Sequence, residues 1–239
     1  MTMEQTPEKI QEQYYASTAG QYNSMHVLHT DKEHMLALEL MSAYISFYNI
    51  KSVLDIGAGT GRTLLYLKSR FPNLKVLGIE PVEALREEGY KKGLLTSELI
   101  DGDGNNLNLK DNSYDLVCEY GVLHHVRHPE KVVDEMLRVG AIGVFISDSN
   151  NFGQGGLLSR SFKQALNFFG LWNVFNLIRT KGKRYQISEA DGLFYSYSVF
   201  NNYKAIKSKC DVLITGIRSQ GFNPYRSALH IALFGLKKK

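Results

Sequence analysis

The chain has 239 residues, of which 44% are hydrophobic and 22% charged, a composition typical of a globular protein long enough for one α/β domain. Its net charge of +4 is too small to indicate nucleic-acid binding by itself, and no apolar run reaches the length of a membrane span. The polar first residues do not resemble a signal peptide, and the two cysteines are far apart, so we expect a cytoplasmic protein with reduced thiols.

Two helices are predicted before residue 50. The segments TPEKIQEQYYAST and DKEHMLALELMSAYISFYN carry apolar residues at helical spacing. Pro7 stands near the start of the first segment, and Asp31 could cap the second. We expect residues 1–49 to form a helical cap on the domain that follows.

Strand and helix patterns alternate from residue 50 to residue 149. The strand patterns are KSVLDIG, KVLGIEP, SELIDGD, YDLVCEY and IGVFISDS. Helical patterns lie between most of them: GRTLLYLKSRF, VEALREEGYKKG and HPEKVVDEMLRV. Such alternation predicts βαβ units and a parallel sheet, and the short apolar strands indicate that both sheet faces are covered.

The last ninety residues predict an insertion followed by a return to the sheet. Residues 150–192 are irregular, strongly aromatic and then basic. Residues 193–239 read as a helix and two strands, which would form an antiparallel hairpin. We therefore predict a single α/β domain with a Rossmann-like, doubly wound, seven-stranded and mostly parallel sheet, in which residues 50–149 are the ligand-binding core.

A glycine loop follows the first predicted strand, in VLDIGAGTGR. Its spacing is G-x-G-x-G, through Gly57, Gly59 and Gly61, and Arg62 stands where a dinucleotide fold would have its third glycine. This substitution disfavours an NAD(P)-linked oxidoreductase, which stays an alternative. The loop indicates a ligand that approaches the backbone closely.

Acidic residues follow the next two predicted strands. Glu80 ends the second strand, where a carboxylate can accept hydrogen bonds from the two hydroxyls of a ribose. Asp103 follows the third strand, where a carboxylate could accept from an exocyclic amine. Asp101 in the same loop could be mistaken for it.

This ordered set resembles the class I S-adenosyl-L-methionine-dependent methyltransferases, in particular the small-molecule, UbiE-like subgroup. The resemblance covers roughly residues 51–149, through VLDIGAGTGR, GIEP, DGDGNNLNLKDNSYDLV and VLHHVRHPEKVVDEMLRV. One departure is RVGAIGVFI, which is shorter than the family's R-V-L-K-P-G-G turn and lacks its proline.

The resemblance implies how the cofactor, S-adenosyl-L-methionine, would be bound. It places the first strand's end at the methionine part, the second strand's end at the ribose and adenine, the third at the adenine edge, and the fourth at the sulfonium. The implied cofactor-binding residues, in chain order, are Asp55, Gly57, Ala58, Gly59, Glu80, Pro81, Asp103, Gly104 and Glu119. A side chain at the glycines would collide with the amino-acid part of the cofactor.

Methyl transfer from a sulfonium requires an aligned nucleophile, and a hydroxyl nucleophile benefits from a base. His124 and His125 follow the fourth strand and are the candidate catalytic residues, because histidine titrates near neutrality. The alternative is that one of them only caps the local turn. No residue spacing indicates a metal site.

Candidate substrate residues come from the two ends of the chain. Tyr22 and His29 lie on the segment that resembles the family's entry segment, and Tyr195 follows the insertion. Phe162 and Trp172 would belong to an aromatic lid over the acceptor. The insertion could instead be an ordinary buried helical pair or a membrane-surface segment. We rank the membrane-surface interpretation lowest, because apolar residues occur all round the helix.

These features predict an enzyme that methylates a small, hydrophobic or aromatic metabolite, at oxygen in preference to carbon or nitrogen. A DNA or RNA substrate is disfavoured, because EYGV stands where amine-methylating base methylases have N-P-P-Y and no basic stripe with interleaved aromatics occurs. A catalytically silent subunit that only binds the cofactor is the alternative from another class. No stable membrane insertion is expected, and a homodimer could form through the final hairpin or the insertion.

Overall fold

Seven strands form one sheet in the computed structural model, which describes residues 6–22, 32–189 and 191–238. The strands of the chain are β1 (Ser52–Ile56), β2 (Lys75–Ile79), β3 (Leu99–Ile100), β4 (Tyr114–Tyr120), β5 (Gly140–Ser149), β6 (Tyr185–Ser188), β7 (Gly192–Tyr195), β8 (Cys210–Ser219) and β9 (Ala228–Lys237). The order in the large sheet is β3-β2-β1-β4-β5-β9-β8, and β6 pairs with β7 apart from it.

The strand directions confirm the predicted sheet. β1 pairs in parallel with β2 and β4, and β4 pairs in parallel with β5. β9 runs antiparallel between β5 and β8, so the C-terminal hairpin forms the antiparallel edge of the sheet. In the register of β1, Ile56 lies opposite both Ile79 and Glu119, which brings the carboxyl ends of three strands to one edge.

Helices cover both faces of this sheet. They are α1 (Pro7–Thr18), α2 (Lys32–Phe47), α3 (Arg62–Arg70), α4 (Glu83–Lys91), α5 (Pro129–Val139), α6 (Leu157–Phe168), α7 (Trp172–Arg179), α8 (Tyr203–Lys209) and α9 (Pro224–Ser227). Successive residues of β1 enter different cores: Val53 packs in the cluster with Leu38 of α2, and Leu54 in the cluster with Val132 of α5. Both faces are therefore dry, which explains why the strands are almost wholly apolar.

The N-terminal helix caps the sheet edge, where its Tyr15 packs against a small cluster that includes Val82 and Leu85. Pro7 occupies its first turn and Thr6 caps it, accepting a hydrogen bond from the Lys9 amide at 3.4 Å. Gln11 joins α1 to β7, because its side-chain oxygen accepts from the Leu193 amide. Asp31, the predicted cap of the second helix, lies outside the described residues.

The insertion consists of two short helices and part of a two-stranded sheet. α6 and α7 are followed by β6 and β7, whose register pairs Ser188 with Gly192. The predicted boundary at residue 192 therefore falls inside this pair, since the interstrand hydrogen bonds extend to Tyr195. In the described part of the chain no helix is long and apolar enough to cross a membrane.

Candidate active site

A cavity of about 630 Å³ opens at the carboxyl ends of β1, β2 and β4, beneath α1. Its volume lies within the range of small-molecule sites, about 300–1,000 Å³. The predicted site residues that line it are Tyr22, Gly57, Gly59, Glu80, Pro81, Asp103, His125 and Tyr195. Residues separated by more than 170 positions thus share one wall.

The glycine loop has backbone conformations that other residues rarely adopt. Gly57 and Gly59 have φ values of +67° and +56°. A Cβ atom at Gly57 would lie 2.5 Å from Cγ2 of Val122, and one at Gly61 would lie 2.0 Å from Cδ1 of Leu94. Neighbouring side chains of the protein therefore already demand glycine at these two positions, in addition to the predicted clash with a ligand.

Glu80 joins the glycine loop to the end of β2. One carboxylate oxygen accepts from the Gly59 amide at 2.9 Å, and the other accepts from the Val82 amide at 2.9 Å. Burial raises the pKa of this carboxyl to about 7, although both amide hydrogen bonds act in the opposite direction. The carboxylate is therefore held in place at the cavity wall.

The two aspartates after β3 take different positions. Asp103 lines the cavity and accepts from the backbone and side-chain nitrogens of Asn105, at 2.9 and 2.8 Å. Asp101 forms an ion pair with Arg86 at 2.9 Å and is not part of the cavity wall. This geometry favours Asp103 over Asp101.

Four predicted cofactor residues lie behind the cavity wall: Asp55, Ala58, Gly104 and Glu119. Asp55 is 2% exposed, receives a hydrogen bond from the Cys118 thiol at 3.5 Å, and has a pKa raised to about 7 by burial. Gly104 packs against Ile56, where a Cβ would be 2.7 Å from Cγ2.

Glu119 is a fully buried carboxyl at the end of β4. One oxygen accepts from the Val122 amide at 2.9 Å, and the other has no hydrogen-bond partner among the described residues. Burial and the nearby Asp148 raise its pKa well above the ordinary value. It shapes the turn that carries Val122 into the cavity wall.

His125 is the histidine of the pair that faces the cavity. Its Nδ1 lies 2.6 Å from the carbonyl oxygen of Leu193, which can only accept a hydrogen bond, so Nδ1 carries the hydrogen. Its Nε2 lies 3.1 Å from the hydroxyl of Tyr15 and 3.5 Å from a carboxylate oxygen of Asp191. In a neutral imidazole, a hydrogen on Nδ1 leaves Nε2 as the nitrogen with the free lone pair.

His124 is held between two carboxylates and does not line the cavity. Its Nδ1 is 2.7 Å from Asp148, and its Nε2 is 3.3 Å from Asp191. Burial would lower its pKa, but the two carboxylates outweigh burial and raise it well above the ordinary value. The two carboxylates therefore favour the charged form of His124 and hold its ring in place, which suits it to position the turn.

One group of three metal-type ligands occurs in the described part of the chain: His124, His125 and Asp191, whose ligand atoms lie within 4.8 Å of one another. A cation could be held there. The same contacts are also accounted for by a histidinium next to carboxylates, so the expectation of no metal stays a prediction.

Two predicted substrate residues lie outside the cavity wall, and a third is not described. Trp172 is buried, donates to the Ser196 hydroxyl at 3.0 Å and packs edge-on against Phe152. Phe162 is 52% exposed and stacks edge-on with Phe175. The aromatic lid is corrected accordingly: these rings pack within the insertion or face outward. His29 lies outside the described residues.

Sequence reasoning missed Gln11 and Asp191. Gln11 and Tyr15 are four residues apart on α1, so they share one face, and both contact His125. That spacing was the available signal for Gln11. Asp191 reaches the histidines only through the fold of β6 and β7, so no local spacing in the sequence pointed to it.

Comparison with known proteins agrees with this geometry. Residues 54–146 match the model of a methyltransferase domain family. Over 97 residues the chain is 34% identical to norajmaline N-methyltransferase of Rauvolfia serpentina, covering 39% of this chain and 33% of that protein. Over 91 residues it is 31% identical to demethylmenaquinone methyltransferase of Thermotoga maritima, covering 38% and 39%. The matched segment thus spans little more than a third of these relatives.

Two solved structures share the fold across nearly the whole chain. A methyltransferase of Thermotoga maritima, described as a possible histamine N-methyltransferase, superposes with a TM-score of 0.61 at 17% identity, covering 95% of this chain and 99% of that one. The plantazolicin methyltransferase BpumL, solved with a substrate analogue and S-adenosylhomocysteine, gives 0.52 at 14% identity, covering 98% of both.

The fold and the matched segment are similar to those of class I methyltransferases, a class that uses S-adenosyl-L-methionine. Within the chain, residues 54–146 are the part that is similar to the methyltransferase domain family. The residues present fit that cofactor: a buried carboxylate lies at the wall for the ribose hydroxyls, and a left-handed glycine backbone borders the same cavity.

Proposed function

We propose that the protein methylates a hydroxyl group of a small, hydrophobic or aromatic metabolite. The observation that carries this proposal is His125, an imidazole at the cavity wall whose Nε2 can accept a proton because its Nδ1 hydrogen is engaged by Leu193. When bound, S-adenosyl-L-methionine supplies an electrophilic methyl group. The protein has to hold this cofactor, align the acceptor and remove a proton.

The cofactor side of the cavity is assigned to the ends of β1, β2 and β3. Glu80 would accept from the ribose hydroxyls, Pro81 would pack against the adenine, and Asp103 would meet the adenine edge. Support for this arrangement comes from the shared cavity wall and from the fixed orientation of the Glu80 carboxylate.

The acceptor side is assigned to His125 and the rings of Tyr15, Tyr22 and Tyr195. Burial raises the pKa of Tyr15 well above the ordinary value, so its hydroxyl stays neutral and donates to His125. An acceptor hydroxyl in the position of the Tyr15 hydroxyl would give its proton to Nε2 of His125 as its oxygen attacks the methyl group. The surrounding rings favour an apolar acceptor body.

An amine is the second candidate acceptor. Two relatives are N-methyltransferases by name, for norajmaline and for ajmaline, and both match at 30% identity or more over about 40% of this chain. A neutral amine attacks through its lone pair and needs a base less than a hydroxyl does. Neither an NAD(P)-linked oxidoreductase nor a silent cofactor-binding subunit gains support from any of the matched proteins.

The deciding experiment offers the purified protein methyl-labelled cofactor with matched sets of phenols, aliphatic alcohols and amines. Mass spectrometry then identifies the methylated atom. His125→Gln should lower kcat with an alcohol or phenol by about a hundredfold, while S-adenosylhomocysteine affinity is retained. Methylation of amines alone would replace the oxygen assignment, and no turnover with any set would favour the silent subunit.

A further inference from the structure

The first helix of the insertion, α6, turns its polar side chains toward the protein. None of its twelve residues is buried. Lys163 donates to the backbone carbonyl of Gln154 at 2.9 Å, and Asn167 donates to the Tyr225 hydroxyl at 2.9 Å. Gln164 lies on the same face and also bonds to backbone carbonyls. Because polar side chains hold the helix in place, its apolar side chains are left on the outside.

The outer side of α6 and α7 is an exposed apolar face, which we call the outer apolar face. Eight of the fifteen exposed large apolar side chains among the described residues lie between positions 157 and 178. The main contributors, between 52% and 87% exposed, are Leu157, Leu158, Phe162, Phe168, Phe169 and Ile178. Water-exposed apolar side chains grouped in this way indicate a surface that is covered in use.

The segment that carries the outer apolar face is positively charged, and acidic side chains do not neutralise it. Residues 150–188 contain six basic residues and no Asp or Glu. None of the six forms an ion pair with any described carboxylate. Burial, and then the charges of Arg179 and Arg160, lower the pKa of Lys163.

We propose that the outer apolar face binds the surface of a bilayer that contains anionic lipid. In this arrangement α6 and α7 lie in the plane of the interface, and the exposed cations Lys181, Lys183 and Arg184 approach the lipid head groups. The attachment is peripheral, since helices of twelve and eight residues are too short to span a membrane.

The charge of this segment favours an anionic bilayer over a second copy of the chain as the partner of the outer apolar face. A symmetric dimer through the same face would bring two acid-free, six-cation segments together, which is repulsive. An anionic bilayer supplies the opposite charge together with an apolar interior. The inference stands on exposure and charge alone and does not depend on the acceptor proposed above.

The test is flotation of the full chain with two kinds of vesicle, phosphatidylcholine alone and phosphatidylcholine mixed equally with phosphatidylglycerol. We expect binding to the mixed vesicles, weakened by added salt. The charge variant Lys181→Glu/Lys183→Glu should bind at least about tenfold more weakly, since each basic residue near an anionic surface contributes roughly a fivefold factor and the variant reverses two of them. The apolar variant Leu158→Ser/Phe168→Ser should lose binding to a similar extent.

Matched controls change the same residue types elsewhere. Phe47→Ser/Phe222→Ser removes two exposed phenylalanines outside the insertion, and Lys110→Glu/Lys204→Glu reverses two exposed lysines. Both controls should bind the mixed vesicles as the wild type does. Circular dichroism and S-adenosylhomocysteine binding establish that each variant is folded.

Three results would overturn the proposal. The first is no binding to either vesicle, and the second is equal binding to neutral and mixed vesicles. The third is a dimer in analytical ultracentrifugation that Leu158→Ser/Phe168→Ser abolishes, which would assign the face to a second copy.

Discussion

The Glu80 carboxylate and the Gly59 amide are joined by a hydrogen bond of 2.9 Å across 21 residues of sequence. This bond fixes the end of β2 against the glycine loop that follows β1, so the two parts of the proposed cofactor site move as one unit. A change at either residue is therefore expected to affect ligand binding by the other.

The first prediction concerns Glu80 itself. Calorimetric titration with S-adenosylhomocysteine should show micromolar binding by the wild type, and Glu80→Ala should weaken it tenfold or more, about 1.4 kcal/mol. Asp101→Ala is the matched control, because Asp101 pairs with Arg86 away from the cavity, and it should bind like the wild type. If the wild type does not bind, the cofactor assignment fails and NADH becomes the next ligand to test.

The second prediction concerns pH. Because burial raises the pKa of Glu80 to about 7, the free protein holds a proton there that an exposed glutamate would release. The ionised form accepts better from ribose hydroxyls, so affinity should rise as pH increases through the pKa. One unit below that pKa, binding should be about tenfold weaker than well above it.

The variant Glu80→Gln separates the pH effect of Glu80 from that of a second buried carboxyl, Asp55. The pKa of Asp55 is also raised to about 7 by burial, but Asp55 lies behind the cavity wall. Titrations at several pH values should give a flat profile for Glu80→Gln. A profile that keeps the wild-type slope would assign the pH dependence to Asp55 instead.

The third prediction concerns the glycine loop. Gly57→Ala should lower the free energy of unfolding by about 1–3 kcal/mol, because φ is +67° and the new Cβ would lie 2.5 Å from Val122. The same variant should lose affinity for S-adenosylhomocysteine. Chemical denaturation measures the first effect. Gly156→Ala is the control, since nothing lies within 4 Å of its Cβ position, and equal stability of both variants would contradict the argument.

The fourth prediction concerns His124 and Asp148. An NMR titration of the imidazole should find His124 protonated well above its ordinary pKa, and Asp148→Asn should lower that pKa. A raised histidine pKa stabilises the fold below the ordinary value and loses this contribution as pH rises through the raised one. Asp148→Asn should therefore cost about 3 kcal/mol at neutral pH. A wild-type His124 that titrates normally would refute the ion pair.

The fifth prediction concerns metal. Dialysis against a chelator should leave turnover unchanged, because the contacts of His124, His125 and Asp191 are accounted for without a cation. Loss of turnover that a divalent cation restores would show instead that these three residues hold a metal. Asp191→Asn would then abolish the restoration.

The local pattern of the sequence determined the fold and the cofactor side of the site. Apolar strands that alternate with helical segments can be covered on both faces in few ways, and parallel strands bring their carboxyl ends to one edge. Gly57, Gly59, Glu80, Pro81 and Asp103 meet at the cavity for that reason. Each stands within a few residues of a strand end, so its position follows from the strand.

Only the tertiary structure decided the rest, because the contacts involved join distant segments. His124 and His125 are adjacent in sequence, yet the fold places His124 between the carboxylates of Asp148 and Asp191 and turns His125 to the cavity wall, with its Nδ1 at the Leu193 carbonyl. Trp172 was expected at the acceptor and is buried within the insertion. The sequence also did not predict that the apolar side of α6 faces outward. Periodicity locates an apolar stripe on a helix but does not say which side the protein covers.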